Sequence, residues 1–522
     1  MPVSATREIS TFKGHERRLR ADRIGLPGLL LSVVAASAPL MVTAGVMATT
    51  YGTMGIVGQP LLFVILGVVL TLFSFGYAEM SRHVHNAGAF YAYIARGLGG
   101  TAGAAASVVA LVAYSTLQFG IYGIFGYELS GLLDTHLGVS IAWWVPALAA
   151  ALAVGALGWL KIDLNARVLG VLLLIECVMV VVFDCVGLGS PGAEGFSLRA
   201  FDLDSLGGGG LGTALCFTIA AFVGFEQAAV YAEETSRPQV VVARVTFLAV
   251  GLVAVFFAIG SWALTVAAGP GHIVGLAQEL GPNLLFKLTE DRLGGAFADV
   301  MHLFYVTGMF AALLSFHNVV ARYAFAMGRE GLLPAAMGRT ARASGAPAHG
   351  SLLQSLVSVA AIGIFALTDG RPNGDPTAPI QRMFTWTGNV GALGIIVLMA
   401  AACAAVITFF VRRGAARVQG PRLVASALAG IALLVIAAYA VKDFDVLLGA
   451  DPTSPLRWIL PSIIGTAVVI GLIYGIVLKY VRPEVHAAIG LGNEAFQLEK
   501  AAVSAATAET SDSSESSGPA GR

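Results

Sequence analysis

The sequence predicts an all-α integral membrane protein with twelve transmembrane helices, and three observations lead to this fold class. Hydrophobic residues make up 57% of the 522 positions and charged residues only 12%, with a mean hydropathy of +0.80. A soluble globular chain carries about 25% charged residues, so the composition argues against a soluble enzyme, a nucleic-acid-binding protein and a disordered scaffold. The apolar residues form long runs, and the basic residues alternate in number between those runs.

Each apolar run can cross a hydrocarbon layer of about 30 Å, which requires roughly 20 helical residues. The runs predict spans 1 to 12 near residues 27–52, 60–81, 103–131, 141–160, 167–187, 210–232, 243–268, 299–326, 351–368, 384–411, 423–441 and 458–480.

The basic residues indicate how these spans are oriented. The segments expected outside hold only seven of the 31 lysines and arginines: Arg199, Lys287, Arg292, Arg371, Arg382, Lys442 and Arg457. The other 24 lie in segments expected inside. This bias follows the positive-inside rule and predicts a cytoplasmic (inner) membrane protein with both termini inside. Residues 1–23 are basic and have no apolar core, so we expect a cytoplasmic tail and not a signal peptide. Residues 481–522 form the second tail, with a disordered end.

Two spans contain residues that weaken a helix. Span 1 runs through Ala35-Ala36-Ser37-Ala38-Pro39, and proline removes a helical hydrogen bond. Span 6 contains Phe222-Val223-Gly224-Phe225-Glu226, with a glycine and a carboxyl group near mid-membrane. Either sequence alone is also consistent with a simple kink. The two spans are five apart and therefore run in opposite senses, a pattern typical of a transporter with an inverted repeat and a midplane binding site.

Four stretches stand in a characteristic order. Span 1 is one of them and is the looser match. The others are Tyr77–Arg82 with Asn86–Tyr93 and Gly97–Gly99 at the end of span 2 and after it, Phe222–Glu226 with Glu233–Pro238 in and after span 6, and Asn318–Arg322 with Gly328–Pro334 at the end of span 8 and after it. In their order and spacing they resemble the amino acid–polyamine–organocation (APC) superfamily of permeases, over roughly residues 24–480.

The resemblance implies a LeuT-like transporter domain over residues 24–480. Repeat one would cover about 27–187, repeat two about 210–411, and two extra helices about 423–480. Spans 1 and 6 would be unwound around the substrate, and spans 3, 8 and 10 would line it.

The resemblance also implies substrate contacts at both interruptions. The carboxylate of an amino acid would meet backbone N–H groups around Ala36, Ser37 and Ala38. Its ammonium group would meet carbonyl groups around Ala221, Phe222 and Val223, beside Gly224, with Phe222 and Phe225 as aromatic lids. Relatives commonly carry Gly-x-Gly in span 1. Here Pro39, which has no N–H, follows Ser37 and Ala38, and this leaves room for an amine as substrate.

Polar and aromatic residues on other spans complete the predicted site. Tyr114 and Gln118 share one face of span 3, either as selectivity residues or as a polar packing stripe. Phe316 of span 8 and Trp386 of span 10 are further candidates for the lining.

Intramembrane ionisable residues are candidates for proton coupling. Glu176 of span 5 is either the coupling proton site or a neutral packing group, since a carboxyl group in apolar surroundings can hold a proton near neutral pH. Glu226 either accepts backbone N–H groups at the interruption of span 6 or titrates. His317 of span 8 is either a packed hydrogen-bonding group or a proton relay. Glu128 lies nearer the outer end and is expected to contact water.

The sequence therefore predicts a secondary active transporter and not an enzyme. We expect it to move a small amino acid or related amine by alternating access, coupled to H⁺. An exchanger without proton coupling and a transporter-like ligand sensor are the alternatives. Metal-ligand spacing, a phosphate-cradling loop and an activated nucleophile are all lacking, so no cofactor is expected. The substrate, the direction of transport and the oligomeric state stay open.

Overall fold

The computed structural model describes residues 25–84, 86–159, 162–341, 345–368, 378–448 and 453–492. Within them the long elements of secondary structure are all helices. We label the long helices and the helices at predicted spans in chain order: α1 (Leu26–Gly52), α2 (Gln59–Ser81), α3 (Gly100–Leu137), α4 (Trp144–Leu157), α5 (Ile162–Gly189), α6 (Leu211–Phe222), α7 (Pro238–Ala268), α8 (Gly295–Arg329), α9 (Ala348–Thr368), α10 (Pro379–Arg412), α11 (Ala416–Lys442) and α12 (Leu456–Val481). The predicted tail 1–23 and the disordered end predicted at 501–522 lie outside the described residues.

Ten of these helices are long and apolar enough to cross a membrane, within the part of the chain that the structure describes. The exceptions are α4 and α6, which are apolar but have 14 and 12 residues. At 1.5 Å per residue they are about 21 Å and 18 Å long, less than the hydrocarbon thickness. Helix α6 is shorter than the predicted 210–232 because the backbone leaves the helix at Val223.

Short helices connect the long ones. Ala89–Leu98 lies between α2 and α3, and Gln227–Val230 follows α6. Two more, Ile273–Leu280 and Asn283–Leu293, connect α7 to α8. A last one, Pro483–Ala488, comes directly after α12.

Burial separates central helices from peripheral ones. In the most apolar window of α1 and of α10, 78% of residues are buried, against 28% in α9 and α12. The outward side chains of α9 and α12 are therefore the ones suited to contact lipid. In the interior, α2 packs along α7, and α3 packs against α8, α10 and α12. The central helices α1 and α10, together with α3 and α6, enclose the residues described next.

Candidate functional site

Helix α1 is interrupted at residues 36–38. Its first part ends at Ala35 and helical structure resumes at Pro39, after Ala38 has adopted a left-handed conformation with φ of 41°. Proline has no N–H to donate. The next amide, that of Leu40, donates to Oε2 of Glu176 on α5 at 3.3 Å. A carboxyl group from another helix therefore occupies the positive end of the second part of α1.

Helix α6 ends at Phe222, and residues 223–226 turn before the short helix Gln227–Val230. Gly224 has a φ of 132°, a value that favours glycine because other residues are strained there. Its N–H donates to Oε2 of the buried Glu226 at 3.0 Å, and the hydroxyl of Tyr114 donates to Oε1 at 2.6 Å. Glu226 thus connects the turn to α3. Accepting a backbone N–H group at this interruption is one of the two roles expected for it.

The two interruptions are in direct contact. A Cβ added at Gly224 would lie 2.7 Å from the carbonyl oxygen of Val33 and 2.9 Å from Cβ of Ala36. Both distances are too short for a side chain, so only glycine permits this approach. Ser37 and Ala38 are buried here as well, as are Ala221 and Val223.

Aromatic and polar groups from α3 and α8 surround Glu226. The ring of Tyr114 lies 6.3 Å from that of Phe316 and 5.4 Å from that of Tyr323. Ser315 of α8 donates to Oε1 of Gln227 at 3.3 Å, while Nε2 of Gln227 is buried without a hydrogen-bond partner among the described residues. Gln227 was not among the predicted site residues. Its polar side chain directly after Glu226 was the signal available in the sequence.

The two predicted lid residues pack against α2. The ring of Phe222 lies 5.9 Å from that of Phe63, and the ring of Phe225 lies 5.9 Å from that of Phe73, edge to face. Both are buried. They anchor the two sides of the α6 interruption on α2, and their role as lids stays a prediction.

Gln118 lies apart from the interruptions, in a polar cluster between α3, α8 and α9. Its Nε2 donates to the Leu313 carbonyl oxygen at 3.1 Å and to the Tyr122 hydroxyl at 3.2 Å, and its Oε1 accepts from Gln354 at 2.7 Å. These contacts are those of a packing stripe, the second of the two interpretations of this residue.

Trp386 also lies apart, on a cavity of about 710 Å³ between the end of α1, the start of α10 and the loop after α11. Its indole N–H donates to the carbonyl oxygen of Leu447 at 3.0 Å. Phe384 lies two residues before Trp386, on the side of Trp386 that faces the protein interior. Its ring lies 5.3 Å from that of Phe217 on α6, and its Cζ would be 3.4 Å from a Cβ at Gly45 on α1. Phe384 therefore packs between α1 and α6 at the start of α10.

Glu176 and His317 have different surroundings. A Cβ at Gly308 of α8 would overlap the carboxyl group of Glu176, so this glycine provides the space that the carboxyl group occupies. His317 contacts the hydroxyl of Ser351 through Nε2 at 2.7 Å and lies against Gly158 after α4, away from Glu226. This position fits a packed hydrogen-bonding histidine.

Glu128 departs from the expectation of a water-exposed group. It is only 2% exposed and lies 2.8 Å from Nε2 of His302 on α8. The two residues are 174 positions apart, and their pairing depends on the packing of α3 against α8.

A buried polar cluster closes the opposite end of the bundle. Arg322 pairs with Glu234 at 2.8 Å, and Arg329 pairs with Glu233 at 2.7 Å. Glu330 accepts from Asn86 at 2.6 Å and from the backbone N–H groups of Gly490 and Gly492, each at 2.9 Å.

Glu330 lies just beyond the end of α8, and its pKa is raised because the carboxyl group is buried. The hydrogen bonds from the Gly490 N–H and the Asn86 side chain lower the pKa and offset this effect only in part. The cluster joins the segments after α2, α6, α8 and α12. Its side chains occur in the sequence stretches that carry the family resemblance, but their pairing was not predicted, and Gly490 and Gly492 lie beyond those stretches.

This architecture defines a class of protein: a multi-pass membrane protein with two interrupted helices in contact at its centre. The chain belongs to the amino acid permease family, whose family model matches residues 29–487. This family is one of permeases and not of enzymes.

Two relatives illustrate the similarity. The branched-chain amino acid permease BcaP of Bacillus subtilis (strain 168) is 23% identical over 317 residues, which cover 58% of this chain. The match spans 65% of the length of that relative. Among solved structures, the fold is similar to that of a manganese transporter from Eremococcus coleocola, crystallised with an aromatic bis-isothiourea substituted compound. The TM-score is 0.55, with 12% identity over 88% of this chain and 95% of that one. At this identity the likeness concerns the fold alone, and the described residues of this chain contain no group of three or more His, Cys, Asp or Glu that could hold a metal ion.

Proposed function

We propose that this protein is a secondary active transporter that moves a small amino acid across the cytoplasmic membrane by alternating access. The observation that carries the proposal is the contact between the interruptions of α1 and α6, where Gly224 lies against Ala36. Backbone groups released from a helix at membrane depth are tolerated where they line a cavity or bind a ligand.

The directions of the helix ends suit a zwitterion. The second part of α1 starts at Pro39 with its positive end at the interruption, which favours a carboxylate. Helix α6 ends at Phe222 with its negative end there, which favours an ammonium group. Ser37, Ala38, Ala221, Val223 and the aromatic residues around Tyr114 would form the binding site. An amine would use the α6 end alone, and this is the alternative substrate.

The proposed architecture has twelve spans, with α4 and α6 as short ones and both termini in the cytoplasm. It consists of two inverted repeats of five spans, at about 27–187 and 210–411, and two extra helices at about 423–480. Support comes from the contacts of α2 with α7 and of α3 with α8, whose members are five spans apart. The 24 basic residues in segments expected inside support the orientation.

We infer that H⁺ is the coupling ion and that Glu176 carries it. An ionised Glu176 would hold the Leu40 amide and stabilise the positive end of the second part of α1. Protonation of Glu176 would remove this interaction, which contributes about 0.3–2 kcal/mol. The substrate carboxylate would then take the same helix end, so proton binding and substrate binding would favour each other. Glu226 would keep the α6 interruption in shape.

The proposed function is tested by uptake into liposomes that contain the purified full chain. Labelled leucine, isoleucine, valine, alanine and glycine, together with their decarboxylated amines, are compared with and without an inward proton gradient. The branched-chain amino acids are included because of the named relative. We expect uptake of one or more amino acids above protein-free liposomes, raised by the gradient. Uptake of amines alone would reject the amino acid, and an absence of net uptake, with exchange retained, would reject proton symport.

A further inference from the structure

A second cavity, of about 380 Å³, lies at the end of the bundle opposite Trp386. We call it the basic cavity. It is lined by Ala95, Arg96, Gly100, Phe409, Arg412, Arg413, His486, Ala487, Ile489 and Leu491. Three of these residues are arginines, and none of these described lining residues is acidic. A cavity that gathers three permanent positive charges attracts an anion.

Two arginines of the basic cavity, Arg412 and Arg413, keep unused hydrogen-bond donors. Arg412 uses one guanidinium nitrogen, which donates to the Gly97 carbonyl oxygen at 3.2 Å. The guanidinium of Arg413 lies over the Phe409 ring at 4.1 Å. In the described part of the chain, no ion pair joins Arg412 or Arg413 to an acidic residue. Since a guanidinium carries five N–H donors, these side chains can still bind a phosphate group.

The same cavity has an apolar wall and a helix end. Phe409, Ile489 and Leu491 supply apolar surface next to the arginines. Gly100, the first residue of the 38-residue helix α3, lines the cavity too, so the positive end of a long helix adds to the arginine charges. Arg412 and Arg413 come at the end of the apolar run of α10, at the level where lipid headgroups meet water.

We propose that the basic cavity binds the phosphate group of an anionic ligand. An anionic phospholipid supplies this chemistry together with acyl chains that suit the apolar wall, and a soluble phosphate compound supplies the phosphate alone. The site is separate from the interruptions of α1 and α6 and from the proposed substrate.

Occupancy of the basic cavity would act on the polar cluster at Glu330. Residues 489–492 alternate in direction: Ile489 and Leu491 line the cavity, while the N–H groups of Gly490 and Gly492 donate to Glu330. His486 also contacts Thr101 at the start of α3, at 3.0 Å. A ligand that fixes this segment against α3 and α10 would therefore hold the Glu330 contacts and stabilise the closed end of the bundle.

The test uses the purified full chain in a non-ionic detergent. Its unfolding midpoint is followed during titration with dioctanoyl phosphatidylglycerol, dioctanoyl phosphatidylcholine or inorganic phosphate. We expect a saturable rise with phosphatidylglycerol, no comparable rise with phosphatidylcholine, and slower hydrogen exchange of the Gly490 and Gly492 amides. An equal rise with phosphatidylcholine would overturn the proposal. A saturable rise with inorganic phosphate that requires the arginines would identify a soluble phosphate compound as the source.

Variants decide whether the arginines carry the effect. In Arg412→Gln/Arg413→Gln, the half-saturating concentration of phosphatidylglycerol should rise about 25-fold, or about 5-fold for each arginine. Lys479→Gln, an exposed charge on α12 outside the cavity, is the matched control and should stay within about 2-fold. The pair Arg412→Lys/Arg413→Lys retains both charges and should weaken binding less than the glutamine pair. An unchanged half-saturating concentration in the glutamine pair, or equal weakening in Lys479→Gln, would show that the cavity is not the site.

Discussion

Gly224 of the second interruption lies against Ala36 of the first, close enough that a Cβ at position 224 would come within 2.9 Å of the alanine Cβ. This contact places the two interruptions side by side at the centre of the bundle, and the proposed binding site depends on it. The following predictions test the contact, its supports and the coupling mechanism in turn.

Gly224→Ala should lower the free energy of unfolding in detergent and abolish most uptake. The residue would be strained at φ of 132° by about 1–3 kcal/mol, and its Cβ would also meet Val33 and Ala36. Gly251→Ala is the matched control, because Gly251 lies on the exposed face of α7 with no atom within 4 Å of a Cβ. If Gly224→Ala takes up substrate at the wild-type rate, the close approach of the interruptions is not required.

Tyr114→Phe should weaken substrate uptake by loosening the α6 interruption. The variant loses the 2.6 Å hydrogen bond to Glu226, and a buried acceptor left without its partner costs about 1–3 kcal/mol. We expect a KM for uptake raised about tenfold or more. Tyr305→Phe is the control, since the buried Tyr305 hydroxyl has no hydrogen-bond partner among the described residues. Equal effects of the two substitutions would mean that the bond to Glu226 does not matter.

Glu176→Gln should separate transport from the proton gradient. The amide cannot ionise, so the variant should lose the stimulation of uptake by an inward gradient while it retains exchange of labelled for unlabelled substrate. Glu128→Gln replaces another buried glutamate, paired with His302 and distant from the interruptions, and should keep the stimulation. Full stimulation in Glu176→Gln would exclude this residue as the proton site.

Gly308→Ala tests where the Glu176 carboxyl group lies. The added methyl group would overlap that carboxyl group, and overpacking of this kind costs about 1–3 kcal/mol. The free energy of unfolding should fall in Gly308→Ala and recover in part in Gly308→Ala/Glu176→Ala, where the space is free again. Additive losses in the double variant would show that the two side chains do not meet.

The sequence was most informative where the local backbone chemistry of single residues decides the structure. The first part of α1 ends at Ala35, shortly before Pro39, which lacks an N–H. Helix α6 ends at Phe222, shortly before Gly224, which accepts a positive φ. Hydropathy likewise indicates most of the spans, because length and apolar composition are local properties.

The remaining features depend on which helix faces meet, and the sequence alone does not specify this. Gln118 bonds to Gln354, 236 positions away, so this bond depends on the contact of α3 with α9. Trp386 is positioned by the carbonyl oxygen of Leu447 in a later loop, and Glu128 by His302. The contact of Glu176 with Leu40 also joins distant segments, although the sequence had identified Glu176 as an intramembrane carboxyl group.

The most direct test of the central claim is competition for uptake of the best labelled amino acid by analogues that lack one charged group. The methyl ester lacks the carboxylate expected at Ser37 and Ala38, and the keto acid lacks the ammonium group expected at Phe222. The account predicts that each analogue competes at least about tenfold more weakly than the unlabelled amino acid, since each loses a charge-assisted interaction. Competition by either analogue as strong as that of the amino acid itself would contradict the proposed binding at the two helix ends.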